Sequence, residues 1–304
     1  MASTQIIHDS KYDYPETKVE LRGQVAVVYM DRPAKLNAWT GVMNKALQDI
    51  FEKLDEDDRI KVVVVTGTGD RAYCAGADLS QGDFSSRGDK SRYQTPTLGA
   101  HRDGGGQFSI QAAKMRKPVI AAINGVAVGV GITSTLPMDI RITYKEAKIG
   151  FVFVRRGIVP EATSTYWLPR LVGYSRAVAL MLTGRVYKAS DPLLANLFTE
   201  VLDNQKDVLP RALELANEMA SMNSSVSMAM VKGLLWHGTN TPEEQHLLDS
   251  KGMFALGNSI DGKEGVASFM QKRQVKFQGT VTKDMPVFYP WWTHPDASAP
   301  KSSL

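Results

Sequence analysis

Residues 117–131 decide the fold: Lys117-Pro118-Val119-Ile120-Ala121-Ala122-Ile123-Asn124-Gly125-Val126-Ala127-Val128-Gly129-Val130-Gly131. The apolar run 119–123 reads as a buried strand. Gly125, Gly129 and Gly131 then space a turn that leads into an apolar, helix-like segment ending near Leu136. Such a turn aims main-chain N–H groups at an anionic centre, helped by the positive end of the helix that follows. It is neither a phosphate loop, which needs G-K-[ST], nor a full G-x-G-x-x-G fingerprint. Tight helix–strand packing would ask for the same glycines.

Outward from this stretch, the runs 25–29, 62–65 and 139–143 read as further strands. Uninterrupted β-branched runs suit strands covered on both faces. Val42, Met43, Ala46, Leu47, Ile50, Phe51 and Leu54 recur at helical spacing, and 107–115 is also helix-like. Strand–helix alternation up to about Leu202 predicts an α/β fold with parallel strands. From Val208 onward the pattern is helical only, a module that packs on the core or on a neighbouring subunit. The acidic run 55–58 reads as a solvated loop. Residues 81–106, nearly free of apolar side chains, read as a long loop of the functional or mobile kind. His101, Arg102 and Asp103 lie in it and could close over a bound ligand or simply be solvated. Phe288-Tyr289-Pro290-Trp291-Trp292 is too aromatic for a free end and is expected to dock on a surface.

The 36 Lys and Arg against 32 Asp and Glu leave a net charge of only +4, with no basic run, which argues against nucleic acid and suits an anionic ligand. Cys74 is the single cysteine, so no internal disulfide is available and a reducing compartment is expected. No stretch of eighteen apolar residues predicts a membrane span, and residues 1–14 lack the apolar core of a secretory signal. The end Ser302-Ser303-Leu304 either resembles the peroxisomal S-K-L address or is an ordinary polar tail. The expected location is peroxisomal or cytoplasmic.

A second segment carries chemistry. Arg71-Ala72-Tyr73-Cys74-Ala75-Gly76-Ala77-Asp78-Leu79 follows a predicted buried strand. Its small residues either let a ligand approach a free N–H or simply make the turn. Taken together with residues 117–131, it resembles the crotonase superfamily of enoyl-CoA hydratases and isomerases. Arg32-Pro33-Ala34-Lys35-Leu36-Asn37-Ala38 resembles the family's first signature, residues 72–79 the second and 117–131 the third. Gly157-Ile158-Val159-Pro160-Glu161, followed by Leu168-Pro169-Arg170-Leu171-Val172-Gly173, resembles the fourth.

The resemblance implies a crotonase (ClpP-like) α/β core of repeated ββα turns over 19–205. A C-terminal helical trimerisation region would follow over 206–277, then an aromatic-containing tail over 278–304. It implies a homotrimer or a hexamer of two trimers. Acyl-CoA would be the substrate, with no separate cofactor or metal. CoA would run along Lys35, Leu36, Ala75, Gly76, Asp78 and Leu79, and Gly129 would line the acyl end. The thioester oxygen would sit between the N–H groups of Ala77 and Val130. Val130 serves if its φ is negative, because the donor is main chain. Lys272, with Arg273 on a helix that includes Phe269, would suit CoA phosphates or simply form a solvated face.

The departures matter as much. Family hydratases carry two glutamates; the matching positions here are Thr133 and Phe153. A threonine can position water but cannot take up a proton near neutral pH. Glu161 stands where certain family isomerases keep their single catalytic glutamate and aryl-CoA dehalogenases a nucleophilic aspartate. An acid in a first helical turn is also favoured by the macrodipole alone. An apolar setting near Phe153 and Trp167 would raise its pKa. The expected activity is Δ3-to-Δ2 enoyl-CoA isomerisation, with non-standard hydration or non-catalytic acyl-CoA binding as alternatives.

Overall fold

The computed structural model describes residues 5–81, 101–295 and 297. Most of the long polar loop, residues 82–100, and the end Ser302-Ser303-Leu304 lie outside the described residues. Two sheets form the framework. The larger is ordered β1 (Ile6–Ile7), β2 (Thr17–Arg22), β3 (Val25–Met30), β4 (Val62–Gly67), β6 (Val119–Ala122), β8 (Ile140–Tyr144) and β11 (Glu200–Leu202). It is parallel from β3 onward. The smaller contains β5 (Ala72–Cys74), β7 (Val126–Val128), β9 (Lys148–Gly150) and β10 (Val186–Lys188) in the order β10-β9-β7-β5.

The chain crosses between the sheets repeatedly. β4, β6 and β8 each enter the large sheet, turn, and give a three-residue strand to the small sheet before a helix. The helices are α2 (Gly104–Lys114), the single turn α3 (Val130–Thr133) and α4 (Ser164–Val172), with α1 (Gly41–Glu56) and α5 (Tyr174–Thr183) completing this part. This is the predicted ββα repeat. Val126, Ala127 and Val128, which read as part of a glycine-spaced turn, are strand β7. Periodicity cannot mark an element of three residues.

Alternation within each strand explains the continuous apolar runs. Ala26, Val28, Val63, Val65, Val119 and Ala121 face one core with Leu47, Phe51, Phe108 and Leu168. Val25, Val27, Val62, Val64, Ile120 and Ala122 face a second, closed by Val208, Ala212, Ala216 and Ala220 of α6 (Val208–Met222). The helical region expected from residue 206 is therefore continuous with the core at its start. α7 (Ser225–Trp236), α8 (Pro242–Gly257) and α9 (Ile260–Met270) follow.

Two expectations are corrected. The acidic run 55–58 is not a solvated loop: Asp57 is buried, accepts from Tyr12 Oη at 2.6 Å and pairs with Arg59, which holds its carboxyl well below the usual range. Asp55 pairs with Arg116 at 2.7 Å. Gly104, Gly105 and Gly106 belong to α2 and not to the loop. The tail docks as its aromatics imply: Trp291 Nε1 donates to His237 O at 2.8 Å, and Trp292 stacks on His237 at 3.9 Å between ring centres.

Arg141 of β8 fastens the chain that leaves α3. It is buried and donates to the carbonyls of Thr135, Met138 and Leu197 at 3.2, 2.6 and 2.8 Å. Arg141→Met leaves those buried acceptors without a donor. A loss of about 3 kcal/mol or more is expected, read as a lower urea midpoint at unchanged slope.

Candidate active site

β5 and β7 are neighbours in the small sheet, with Ala72 opposite Val126 and Cys74 opposite Ala127. Beyond their ends the two chains stay in close contact. A Cβ on Gly76 would lie 3.0 Å from Val128 O, and one on Gly131 would lie 2.0 Å from Cys74 O. Only residues without a side chain allow this approach. Gly76 (φ 96°) and Gly129 (φ 57°) have the left-handed φ that L side chains rarely adopt, and each turns the peptide that follows it.

The N–H groups released by those turns are those of Ala77 and Val130. Trp39 forms a parallel bridge beside Ala77, donating to Gly76 O at 2.8 Å and accepting from Asp78 N at 2.9 Å. Such a bridge uses the residues on either side and leaves the N–H of Ala77 facing away. Val130 opens α3, where the first N–H groups have no intrahelical acceptor. Among the described residues, neither amide has a protein acceptor. Val130 keeps an ordinary negative φ. The help expected from a helix dipole is small, because α3 has four residues.

The signature around Asn37 is a brace for this turn. Asn37 is 1% exposed, and its amide donates to Thr68 O at 3.0 Å and Ala72 O at 2.8 Å while its carbonyl accepts from Arg32 N at 3.0 Å. Arg32 reaches Asp78 at 2.9 Å, and Asp78 also accepts from Ser80, which with Arg32 brings its pKa down to about 2. Asp78 thus braces the turn, and so low a pKa makes it a poor base. Ala75 N donates to Leu36 O at 3.1 Å, so the expected CoA-binding segments are joined. Lys35, Leu36 and Leu79 are exposed along this edge. Lys272 is not brought to it by any bond: it lies past α9, exposed, while Arg273 pairs with Glu264.

Glu161 is half-buried and meets α3 at its fourth residue, Thr133. It precedes α4 by three residues, so the first-turn explanation for an acid here does not apply. Thr133 Oγ1 donates to Glu161 Oε1 at 2.6 Å and also lies 3.2 Å from Gly129 O. A hydroxyl has one proton and two lone pairs. Thr133 can donate to Oε1 both when Glu161 is ionised and when its proton sits on Oε2. The position where hydratases keep a glutamate therefore serves the carboxyl of Glu161 in either protonation state. Trp167 and Phe153 are buried; Trp167 Nε1 donates at 2.9 Å to Thr163 Oγ1, two residues from Glu161.

Sequence reading placed Asp103 and the glycines after it in the long polar loop. Asp103 caps α2 and touches the carboxyl of Glu161. A Cβ on Gly105 would lie 1.5 Å from Glu161 Oε2, so the carboxyl rests on the helix backbone. An Asp followed by three glycines signals a cap and a close approach, but the polar run before it concealed that. Burial pushes Glu161 up to about 7; the Thr133 hydrogen bond opposes this and the nearby Asp103 adds to it.

Two free amides at adjoining strand ends, a ββα repeat and a buried carboxyl define a crotonase-type protein. The chain belongs to the enoyl-CoA hydratase/isomerase family, whose profile matches residues 20–280. It is 42% identical over 279 residues to an enoyl-CoA hydratase, AFT3-1, of Alternaria alternata, covering 92% of this chain and 90% of that one. It is 31% identical to the 1,2-epoxyphenylacetyl-CoA isomerase of Escherichia coli (strain K12), covering 84% and 95%. A crystal structure of a probable enoyl-CoA hydratase/isomerase from Mycobacterium abscessus superposes with a TM-score of 0.78 at 31% identity, covering 87% and 99%.

The Glu161 shift has a sign that can be checked. Its folded pKa of about 7 lies above the ordinary 4.5. Between those values the unfolded chain ionises this group and the folded one does not, so stability falls as pH rises through the window. Glu161→Gln cannot ionise. It is expected to exceed the parent by roughly 3 kcal/mol above pH 7, with the gap closing below pH 4.5, measured as urea midpoints at pH 4 and 8.

Proposed function

We propose that this acyl-CoA enzyme is a Δ3-to-Δ2 enoyl-CoA isomerase in which Glu161 carries the proton. The observation that supports it is one half-buried glutamate, pushed up to about 7, held by Thr133 of an α3 turn whose leading amide has no acceptor among the described residues. The C2–H bond breaks, its electron pair enters a dienolate and the proton goes to Glu161. The dienolate's oxygen accepts from the N–H groups of Ala77 and Val130, donors worth about 3–4 kcal/mol each at such sites. Return of the proton to C4 re-forms the thioester carbonyl with the double bond now between C2 and C3. The composition of the substrate does not change, so one carboxyl suffices. A base that must both take and give a proton works best with a pKa near the operating pH.

Hydration is the second reading. A second carboxyl, Asp103, lies against Glu161, and the Alternaria relative is named a hydratase. Offering 3-enoyl-CoA and 2-enoyl-CoA in parallel separates the two. The isomerase reading expects the 3-enoyl substrate to become the 2-enoyl, with a rate rising with pH through about 7 as Glu161 ionises. Glu161→Gln is expected to lose at least ~100-fold in kcat and keep its affinity for the CoA thioester. Full activity in that variant removes Glu161 from the mechanism. Tight binding with no turnover of either substrate leaves only an acyl-CoA binder.

The homotrimer is proposed on the exposed apolar side chains of α8 and α9, among them Met253, Phe254, Phe269 and Met270. Exposed apolar surface on this scale marks an interface. Light scattering is expected to give a trimer or hexamer, and the pair Phe254→Lys and Phe269→Lys to lower the mass.

A further inference from the structure

Asp103 does more than cap a helix. Its Oδ1 accepts from Gly106 N, the bond an N-cap requires, and also from Ala162 N at 3.3 Å. Ala162 directly follows Glu161. One carboxylate oxygen thereby joins the first turn of α2 to the segment that carries Glu161. That segment is strained, since Ala162 (φ 56°) and Thr163 (φ 50°) are consecutive left-handed residues that are not glycine. It is held from the other side by the Thr163 hydroxyl, which lies 2.6 Å from Ser109 Oγ and accepts from Trp167. Asp103, Ser109 and Gly105 all come from α2 or its cap, so one helix sets the path of residues 161–163 and the seat of the carboxyl.

We propose that Asp103 is a positioning residue for Glu161: its anchored carboxylate holds the glutamate in place and accepts the hydrogen bond Glu161 donates after taking the substrate's proton. This rests on Glu161 being the proton shuttle. The C2 proton moves to Glu161, whose O–H then donates to Asp103; when the proton passes to C4, that bond is released and both carboxyls return to their starting state. The groups that face Glu161 are Asp103 before α2, Thr133 on α3 and Cys74 on β5. Thr133 is uncharged. Burial pushes Cys74 up to about 12, which keeps it a neutral thiol. Asp103 is the neighbour whose charge opposes ionisation of Glu161.

The test uses the full chain labelled with 13C at glutamate Cδ, the Glu161 signal being the one lost in Glu161→Gln. Asp103→Asn and Asp103→Ser both keep an N-cap acceptor and remove the charge. In both, the Glu161 titration midpoint is expected to fall by about one pH unit. The rising limb of kcat/KM against pH should move down with it, and kcat should drop at least ~10-fold with KM little changed. A helix-capping role alone would lower the melting temperature and leave the midpoint where it was. Folded variants with unmoved midpoint and kcat overturn the proposal. A moved midpoint alongside full turnover in Glu161→Gln also overturns it, through its premise, while leaving the carboxyl pairing intact.

Discussion

Two main-chain amides, those of Ala77 and Val130, have no protein acceptor among the described residues, just beyond the ends of β5 and β7. Val130 is buried, and a buried donor left unpaired costs about 1–3 kcal/mol, so the surrounding structure must hold such a peptide in place. The means are local. Gly76 and Gly129 turn the peptides, and Gly131 lets α3 pass within contact of the Cys74 carbonyl. Trp39 takes the hydrogen bonds on either side of Ala77 and leaves its own N–H aside. Asn37, Arg32 and Asp78 then lock the loop to the end of the large sheet. Donors fixed in this way need no reorganisation when charge develops on an oxygen.

The carboxyl side obeys the same logic in reverse. Glu161 is removed from water, which weakens it as an acid, and is then given a hydrogen-bond partner, Thr133, that suits both of its protonation states. α3 lies between the two halves. Its first residue offers one of the two amides and its fourth a hydroxyl to Glu161, so a single helical turn ties that donor to the carboxyl. The buried Arg141 holds the chain that leaves this turn.

The central strands β3, β4 and β6 of the large sheet were legible because they are buried on both faces and therefore appear as unbroken apolar runs, whereas β1, β2 and β11, with exposed or charged residues, were not. Val62, Val63, Val64 and Val65 alternate between two cores, and composition alone betrays them. The small sheet was not legible: β5, β7, β9 and β10 have three residues each, too few for any period. The two amide donors were named through family resemblance; the glycines before them, Gly76 and Gly129, showed in the sequence only as turns. Glu161 was visible through family resemblance, whereas its burial depends on contacts distant in the chain. Asp103 was hidden because an N-cap after a polar run looks like more loop. Asn37 was quoted within a signature without a role, since nothing local says that a single side chain will bridge Arg32, Thr68 and Ala72.

The most direct test of the amide pair observes the thioester carbonyl itself. A saturated acyl-CoA labelled with 13C at that carbon binds without reacting and reports the polarisation of its oxygen. If the N–H groups of Ala77 and Val130 both donate to it, the bound resonance moves downfield of the free thioester and its carbonyl stretch moves to lower frequency. A bound thioester whose resonance and stretch match those in water would contradict the account.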